Sequence, residues 1–93
     1  MEWTVPSDRY GPDTDIDAEA ADPVWVQLAS ILAARIVAGR YQRGRVIPSE
    51  NQVIGEFGVA RSTVRKAVKL LVEEGLVRTV HGRGSYVRED LDV

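Results

Sequence analysis

The residues of this 93-residue chain that could do chemistry are concentrated in one short cationic stretch. Arg61, Arg65 and Lys69 recur every four residues, a spacing that places side chains on one face of a helix. Ser62 and Thr63 add short hydroxyl side chains beside the first arginine. Arginine can donate two parallel hydrogen bonds to guanine, and lysine binds phosphate as a point charge. The pattern therefore predicts a helix face that binds a polyanion such as DNA.

The sequence offers little for catalysis or for metal binding. It contains one histidine and no cysteine, and no pair of acids shares a face with a nearby base. The Gly82-Arg83-Gly84 tripeptide is not followed by the helix that a phosphate-binding loop opens. We therefore expect no enzyme activity, no metal site and no cofactor.

An apolar stripe accompanies the cationic face and predicts the helix that carries it. Gly58 and Gly75 bound the stretch and supply backbone positions at which helices end. The apolar positions follow the three- and four-residue spacing of an amphipathic helix, and they are Val64, Ala67, Val68 and Leu71. One side of this helix should pack on a core while the other presents cations.

A shorter helix is predicted directly before the cationic one. Ser49 and Gln52 form an S-x-x-Q capping box at its start. Its inward side chains would be those of Val53, Ile54 and Phe57. Only three residues, 58–60, separate the two helices, which is typical of a helix-turn-helix.

A further helix is predicted before this pair. Asp22 should act as its N-cap, with Pro23 at the first helical position, and Gly39 should end it. Its apolar stripe consists of Trp25, Leu28, Ala29, Leu32 and Ile36. We interpret this helix as scaffold for the cationic helix.

After the cationic helix the pattern changes to that of a β-hairpin. Residues 76–80 and 85–88 are rich in β-forming side chains, and a loop with two glycines, residues 81–84, joins them. Residues 45–47 form a further short extended piece before the helix pair. The predicted fold class is α+β and mainly α, a winged helix-turn-helix of three helices and a small hairpin wing.

Charge divides the chain into an acidic start and a basic domain. Up to Asp22 there are seven acids and one base, whereas from Pro23 onward there are eleven bases and seven acids. We predict an acidic, flexible tail at residues 1–22, one domain at residues 23–88 and a C-terminal tail at residues 89–93. The tail is either simply solvated or folds back over the basic face and competes with its ligand.

No apolar run approaches the roughly 20 residues of a membrane-spanning helix, and the start of the chain has no signal-peptide pattern. We therefore expect a soluble cytoplasmic protein with no membrane partner.

From Pro23 to Val87 the sequence resembles the winged helix-turn-helix domain of the GntR family of bacterial transcription regulators. The motifs are PSE at 48–50, VARSTVRKA at 59–67, EGLV at 74–77 and GRGSYV at 82–87. The resemblance implies double-stranded DNA as partner, bound by a dimer at an inverted-repeat operator, usually to repress transcription.

The resemblance and the cationic pattern together assign roles to individual residues. The residues expected to contact bases in the major groove are Arg61, Ser62, Thr63 and Arg65. Those expected to contact the DNA backbone are Arg45, Ser49, Lys66, Lys69, Arg78 and Arg83. At the wing, His81 and Gly82 would enter the minor groove.

The chain departs from the family pattern at three points. Asn51 follows PSE where the family generally has a DNA-contacting arginine. Ala60 precedes the first recognition arginine where a capping serine or threonine is preferred, at a cost of about 1 kcal/mol in helix stability. Most members also continue into an effector-binding, dimerising domain, which we do not expect in this chain.

A second function from another class stays open at this point. Asn51 and the acidic tail would also suit a winged helix that binds a partner regulator rather than DNA. DNA binding is distinguished by an affinity that falls steeply with salt.

Overall fold

The computed structural model describes residues 9–91. In chain order the elements are α1 (Val24–Val37), α2 (Glu50–Phe57), α3 (Arg61–Glu73), β1 (Val77–Val80) and β2 (Gly84–Val87). The two strands form an antiparallel hairpin in which Val77 pairs with Val87 and Val80 with Gly84. The expectation of three helices and a hairpin wing is confirmed.

α1 and α3 pack on each other and form the centre of the core. The apolar stripe predicted for α3 is buried at Val64, Ala67 and Leu71. It packs with Leu28 and Leu32 of α1 in one cluster, all of them at most 1% exposed. The remaining buried members come from α1, α2, the hairpin and the connections, and they include Ile36, Ile47, Val53, Leu76, Val77 and Val87.

The start of α1 differs from the sequence-based expectation. Pro23 is the N-cap residue and the cap has no side-chain hydrogen bond. The carboxylate of Asp22 instead accepts a 2.7 Å hydrogen bond from the hydroxyl of Tyr10 and pairs with Arg9 at 3.4 Å. The predicted capping role of Asp22 is therefore wrong: its side chain makes no cap hydrogen bond, and Oδ2 of its carboxylate is bound by Tyr10 and Arg9 of the preceding segment.

The capping box at the start of α2 is confirmed. The backbone N–H of Gln52 donates to Oγ of Ser49 at 3.2 Å, and the backbone N–H of Ser49 donates to Oε1 of Gln52 at 2.8 Å. α2 ends at Gly58, whose φ of 67° lies in the left-handed region that glycine adopts without strain. The turn to α3 is thereby kept short.

α3 begins without the side-chain cap that α2 has. Ala60 occupies the N-cap position in an extended conformation and makes no side-chain hydrogen bond. The prediction from the sequence that this helix start is uncapped is confirmed. The N-terminal end of α3 therefore lacks the side-chain cap hydrogen bonds that the start of α2 has.

The segment before α2 is joined to the hairpin. Val46 forms a bridge with Tyr86, and the backbone N–H of Ile47 donates to the carbonyl of Ser85 at 2.8 Å. Two more backbone hydrogen bonds, each of 2.9 Å, connect Gly44 and Arg45 with Val87. The predicted extended piece at residues 45–47 thus lies along β2 as a third, minimal strand.

The acidic segment packs against the domain in its described part, residues 9–22, contrary to the expectation of a flexible tail. Gln27 of α1 is completely buried and accepts from the backbone N–H of Asp17. Its side-chain amide donates to the carbonyls of Asp17 and Asp22, each at 2.8 Å. Ile16 packs against the core cluster. The segment is held because one buried glutamine satisfies three of its backbone groups.

The acids of this segment contact the α1 side of the domain. The two oxygens of Asp13 accept from Arg40 at 2.8 and 2.7 Å, and the carbonyl of Pro12 accepts from Nε of Arg35 at 2.9 Å. The guanidinium of Arg35 also binds Glu56 of α2. These contacts lie away from Arg61 and Arg65; residues 1–8, part of the predicted tail, lie outside the described residues.

The C-terminal tail also differs from expectation. Leu91 is 7% exposed and belongs to the core cluster. Arg88 forms a two-bond ion pair with Asp90 at 2.9 and 2.6 Å. The sequence underestimated this end because a single leucine beyond the hairpin gives no periodic signal.

Removing the N-cap side chain of α2 and adding one to α3 should change the stability in opposite directions. Ser49→Ala should lower the free energy of unfolding by about 1 kcal/mol, because it removes the N-cap acceptor. Ala60→Ser should raise it by up to about 1 kcal/mol, because it supplies an acceptor that α3 lacks. Urea denaturation of the two single variants measures both changes. A loss of stability in Ala60→Ser would contradict the description of α3 as uncapped.

Replacing Gln27 should loosen the N-terminal segment. Gln27→Leu keeps a similar volume but leaves three backbone groups of the segment without their partner, so we expect a loss of about 2 kcal/mol in unfolding free energy. Ser30→Ala is the matched control, since the buried hydroxyl of Ser30 bonds only within α1, to the carbonyl of Val26. Equal losses in the two variants, measured by thermal denaturation, would show that the segment contributes nothing through Gln27.

Candidate nucleic-acid interface

An open groove of about 980 Å³ runs between α3, the start of α2 and the hairpin. We call it the cationic groove. Its polar lining includes Ser49, Glu50, Arg65, Lys69, His81 and Arg83, and its apolar lining includes Val46, Ile47, Val64, Val68, Val72 and Val80. The groove has cations along its sides and an apolar floor.

The floor of the groove exposes more apolar surface than the sequence indicated. Val46 is 51% exposed and Val72 is 39% exposed, and both line the groove. Val72 follows Arg65 and Lys69 on the cationic face of α3 rather than on its buried face. Side chains of this kind contact the sugar rings or thymine methyl groups of a nucleic acid, not its phosphates.

Two arginines stand side by side at the start of α3, and one carboxylate holds both. Oε1 of Glu50 accepts from Nη1 of Arg61 at 2.8 Å and from Nη2 of Arg65 at 3.3 Å. Oε2 of the same carboxylate accepts from Nε of Arg65 at 2.8 Å. The side chains of Arg61 and Arg65 stay 48% and 66% exposed. The sequence predicted the two arginines as a pair but missed Glu50, whose partners are eleven and fifteen residues away along the chain.

Asn51 also takes part in this cluster. Its Oδ1 accepts from Nη2 of Arg61 at 2.8 Å. At the position where the family resemblance leads one to expect a cation, this chain therefore has a side chain that binds Arg61 of the same chain.

The ion pairing shifts the titration of the groups involved. The hydrogen bonds from Arg65 and then Arg61 hold the pKa of the Glu50 carboxyl below its ordinary value, while the hydrogen bond to Glu50 raises the pKa of Arg65. Glu50 therefore carries its negative charge at neutral pH, and the cluster of the three groups has a net charge of +1.

Most of the other predicted residues either line the cationic groove or lie on the first turn of α3. Ser49, Lys69, His81, Gly82 and Arg83 line the cationic groove together with Arg65. Ser62 is exposed and Thr63 half-buried on the first turn of α3, beside Arg61. The first set thus lines one groove, while Ser62 and Thr63 lie on the neighbouring turn of α3 outside the groove lining.

Besides Arg61, which pairs with Glu50 at the edge of the groove, three predicted cations are absent from the groove lining. The ammonium of Lys66 stands 5.6 Å from the ring centroid of Trp25 and so lies toward the start of α1. Arg78 lines a smaller pocket on the other side of the hairpin, with Tyr86 and Arg88 among its neighbours. Arg45 is exposed where the chain runs along β2. Any contact that these residues make with a duplex is a flanking contact, separate from the groove.

The hairpin loop is shaped to protrude. The backbone N–H of Arg83 donates to the carbonyl of Val80 at 3.0 Å, which closes a tight turn through His81 and Gly82. Gly82 has a φ of 75°, a conformation that costs glycine little and other residues more. The tip is exposed and consists of His81, Gly82 and Arg83.

Metal and membrane sites were also sought among residues 9–91. No cluster of three or more potential metal-binding side chains occurs within that range. In the same part of the chain, no helix combines the length and the apolar character needed to cross a membrane.

The fold and the groove define a winged helix-turn-helix domain: two helices joined by a tight turn, a third bracing helix, and a basic hairpin beside the second helix of the pair. The chain belongs to a family of regulators with this domain. Residues 26–87 match the family described as "Bacterial regulatory proteins, gntR family". The resemblance noted in the sequence is thereby confirmed.

Named relatives carry the same domain within longer chains. The mannosyl-D-glycerate transport/metabolism system repressor MngR of Escherichia coli is 37% identical over 68 residues, which are 73% of this chain and 28% of the relative. The HTH-type transcriptional repressor NagR of Bacillus subtilis is 36% identical over 73 residues, 78% of this chain and 30% of the relative. The chain thus spans about a third or less of these relatives.

Solved structures agree with the fold. The DNA-binding domain of AraR in complex with operator ORR3 has a TM-score of 0.70 at 33% identity, covering 81% of this chain and 90% of that one. YtrA from Sulfolobus acidocaldarius, a GntR-family transcription factor, has a TM-score of 0.74 at 31% identity, covering 83% and 81%.

The pKa of Glu50 is directly testable. Its folded-state value is lowered, so its ion pairs stabilise the fold fully above the ordinary glutamate pKa of 4.5, and that stabilisation is lost as the pH falls through the lowered value. NMR titration of the Glu50 carboxyl carbon should give a midpoint below 4.5, and Arg65→Ala should raise that midpoint. A midpoint unaffected by Arg65→Ala would contradict the observed pairing.

Proposed function

We propose that this chain binds double-stranded DNA sequence-specifically and serves as the DNA-binding part of a transcription repressor. The observation that carries the proposal is the pair of exposed arginines, Arg61 and Arg65, on the first two turns of α3 at the edge of the cationic groove. An α-helix fits the major groove of B-DNA, and its N-terminal residues are those that reach base edges in helix-turn-helix proteins.

In the proposed complex, α3 lies in the major groove. Arg61 and Arg65 contact bases, with guanine the preferred partner of an arginine fork. Ser62 and Thr63, on the same first turn, contact bases or the adjoining backbone. Three of these four residues are exposed, and Thr63 is half-buried.

The cationic groove would accommodate the sugar-phosphate backbone of one strand. Lys69 and Arg83 stand on opposite walls, on α3 and on the hairpin, and Ser49 lies at the start of α2. Cations on the walls suit phosphates, while the valines of the floor suit the apolar faces of the sugars. Beyond that strand, His81 and Gly82 at the hairpin tip would reach into the minor groove.

The flanking cations Arg45, Lys66 and Arg78 are proposed as contacts to phosphates on either side of this strand. None of them lines the groove, so their contribution would be general attraction to the duplex rather than base discrimination.

Assembly and regulation are proposed for the whole protein. A dimer on an inverted-repeat operator would place one α3 in each of two major grooves a helical turn apart. Repression is proposed because MngR and NagR, two similar proteins, are described as repressors. We further propose that the protein acts in the cytoplasm, where it would meet DNA.

The alternative of a protein-interaction module has lost its two supports. Asn51 binds Arg61 at the edge of the groove. Asp13 of the acidic segment binds Arg40 just after α1, and the backbone N–H of Asp17 donates to Gln27 of α1. Both features are accounted for within a DNA-binding domain.

The division between base-reading and phosphate-binding residues can be tested by two substitutions. Arg65→Ala should lower affinity for a duplex selected by the wild-type chain by about tenfold or more, with little change on a shuffled duplex. Lys69→Ala should weaken binding to both duplexes alike and reduce the slope of log affinity against log salt by about one. Fluorescence anisotropy titrations at several salt concentrations give all these values.

The proposal fails if Arg65→Ala weakens the selected and the shuffled duplex by the same factor. Glu73→Gln is the control for charge, since Glu73 is exposed at the end of α3 and is not part of the groove lining. It should leave the ratio of the two affinities unchanged.

A further inference from the structure

The carboxylate of Glu50 uses particular donors of each arginine. On Arg65 it binds Nε and Nη2, the side edge of the guanidinium, through both of its oxygens. On Arg61 it binds Nη1, while Asn51 binds Nη2, so the outer edge of that guanidinium is taken. The two arginines are held through different edges.

This difference leaves different donors for DNA. A guanidinium has five N–H donors in a rigid plane, and the outer edge offers one from each Nη in the fork that matches O6 and N7 of guanine. Arg65 retains this outer fork while Glu50 holds its side edge. In Arg61 both Nη atoms already donate, one to Glu50 and one to Asn51, so its outer fork is engaged within the protein. Arg65 can therefore read a guanine without releasing Glu50.

Glu50 is itself firmly placed. It is the first residue of α2, directly after Ser49 of the capping box, and Val53 one turn later is 2% exposed in the core. An exposed arginine on its own loses side-chain rotamer entropy when it binds. Because Glu50 on α2 already holds the guanidinium groups in the free protein, less rotamer entropy remains to be lost when DNA binds.

A carboxylate at this position also has a cost on any DNA. Glu50 lines the cationic groove, so its charge faces the proposed path of the phosphates and weakens attraction to every sequence. Such a charge is useful only if the geometry that it imposes on the arginines contributes more on the correct bases than on others.

We propose that Glu50 is a positioning residue for base recognition: its carboxylate locks Arg61 and Arg65 into one preformed unit that favours the correct operator over other DNA. The proposal rests on the proposed function, in which these arginines contact bases. It further assigns the stronger guanine preference to the base pair facing Arg65, since only Arg65 keeps its outer fork free.

Two substitutions of Glu50 separate positioning from charge. Glu50→Gln keeps the shape but replaces one acceptor oxygen by an amide NH2 and removes the charge, so the two-oxygen hold on Arg65 is lost and the bond to Arg61 is weakened. Glu50→Asp keeps the charge but is one methylene too short to reach both. Glu73→Gln, which removes the same charge outside the groove, is the matched control.

The probes are a duplex enriched from a random pool by the wild-type chain and a shuffled duplex of the same composition. We expect Glu50→Gln to lower the ratio of selected to shuffled affinity by about tenfold, with the shuffled duplex bound more tightly than by wild type. Glu50→Asp should lower the ratio while leaving the shuffled affinity unchanged. Glu73→Gln should leave the ratio unchanged.

An independent readout reports the positioning itself. In the free protein, Nε of Arg65 donates to Glu50, so its N–H resonance should be protected from exchange in wild type and lose that protection in Glu50→Gln and Glu50→Asp. Thermal denaturation of each variant checks that the fold is retained.

Three results would overturn the proposal. The first is that Glu50→Gln tightens both duplexes by the same factor as Glu73→Gln, which would reduce Glu50 to a repelling charge. The second is an unchanged affinity ratio in Glu50→Asp. The third is a pool from which wild type enriches no sequence, which would contradict the proposed function as well; the first two would leave that function standing.

Discussion

The structure depends on the packing of α3 against α1. Val64, Ala67 and Leu71 are buried to within 1% against the apolar side of α1, and this contact decides which side chains of α3 remain outside. Because side chains on a helix are fixed at 100° intervals, burying this stripe leaves Arg61, Arg65 and Lys69 no choice but to face outward. The hairpin and α2 then define the walls of a groove around a face whose orientation is already set.

Most of the fold could be predicted because its signals are local. The period of α3, the capping box of Ser49 and Gln52 and the glycines at the ends of helices each lie within a few residues of one another. The uncapped start of α3 at Ala60 was recognisable for the same reason. Strand limits differ from the predicted ones by about one residue, as expected where a hairpin frays.

The features that the sequence did not reveal depend on contacts between distant residues. Asp22 is a good N-cap by type, but its Oδ2 is bound by Tyr10 and Arg9, so tertiary partners outweigh the local preference. Gln27 looked like a polar position on an otherwise apolar helix, and nothing local indicated that it would be buried under residues 9–22. Glu50 is the clearest case: its type suits the first turn of α2, where acids favour the helix dipole, and this ordinary explanation conceals its hold on two arginines of another helix.

The short connection at residues 44–47 restrains the hairpin relative to the helix pair. Residues 44–47 hydrogen-bond along β2 and then run directly into the Ser49 cap of α2, so the hairpin and the helix pair are tied by the same short piece of chain. This connection restrains the distance between the hairpin tip and α3 in the free protein. DNA whose backbone spacing already matches that opening would enter without distortion, whereas stiffer or differently shaped sequences would have to deform. In the proposed complex, such a domain would also discriminate among base pairs that none of its side chains touches.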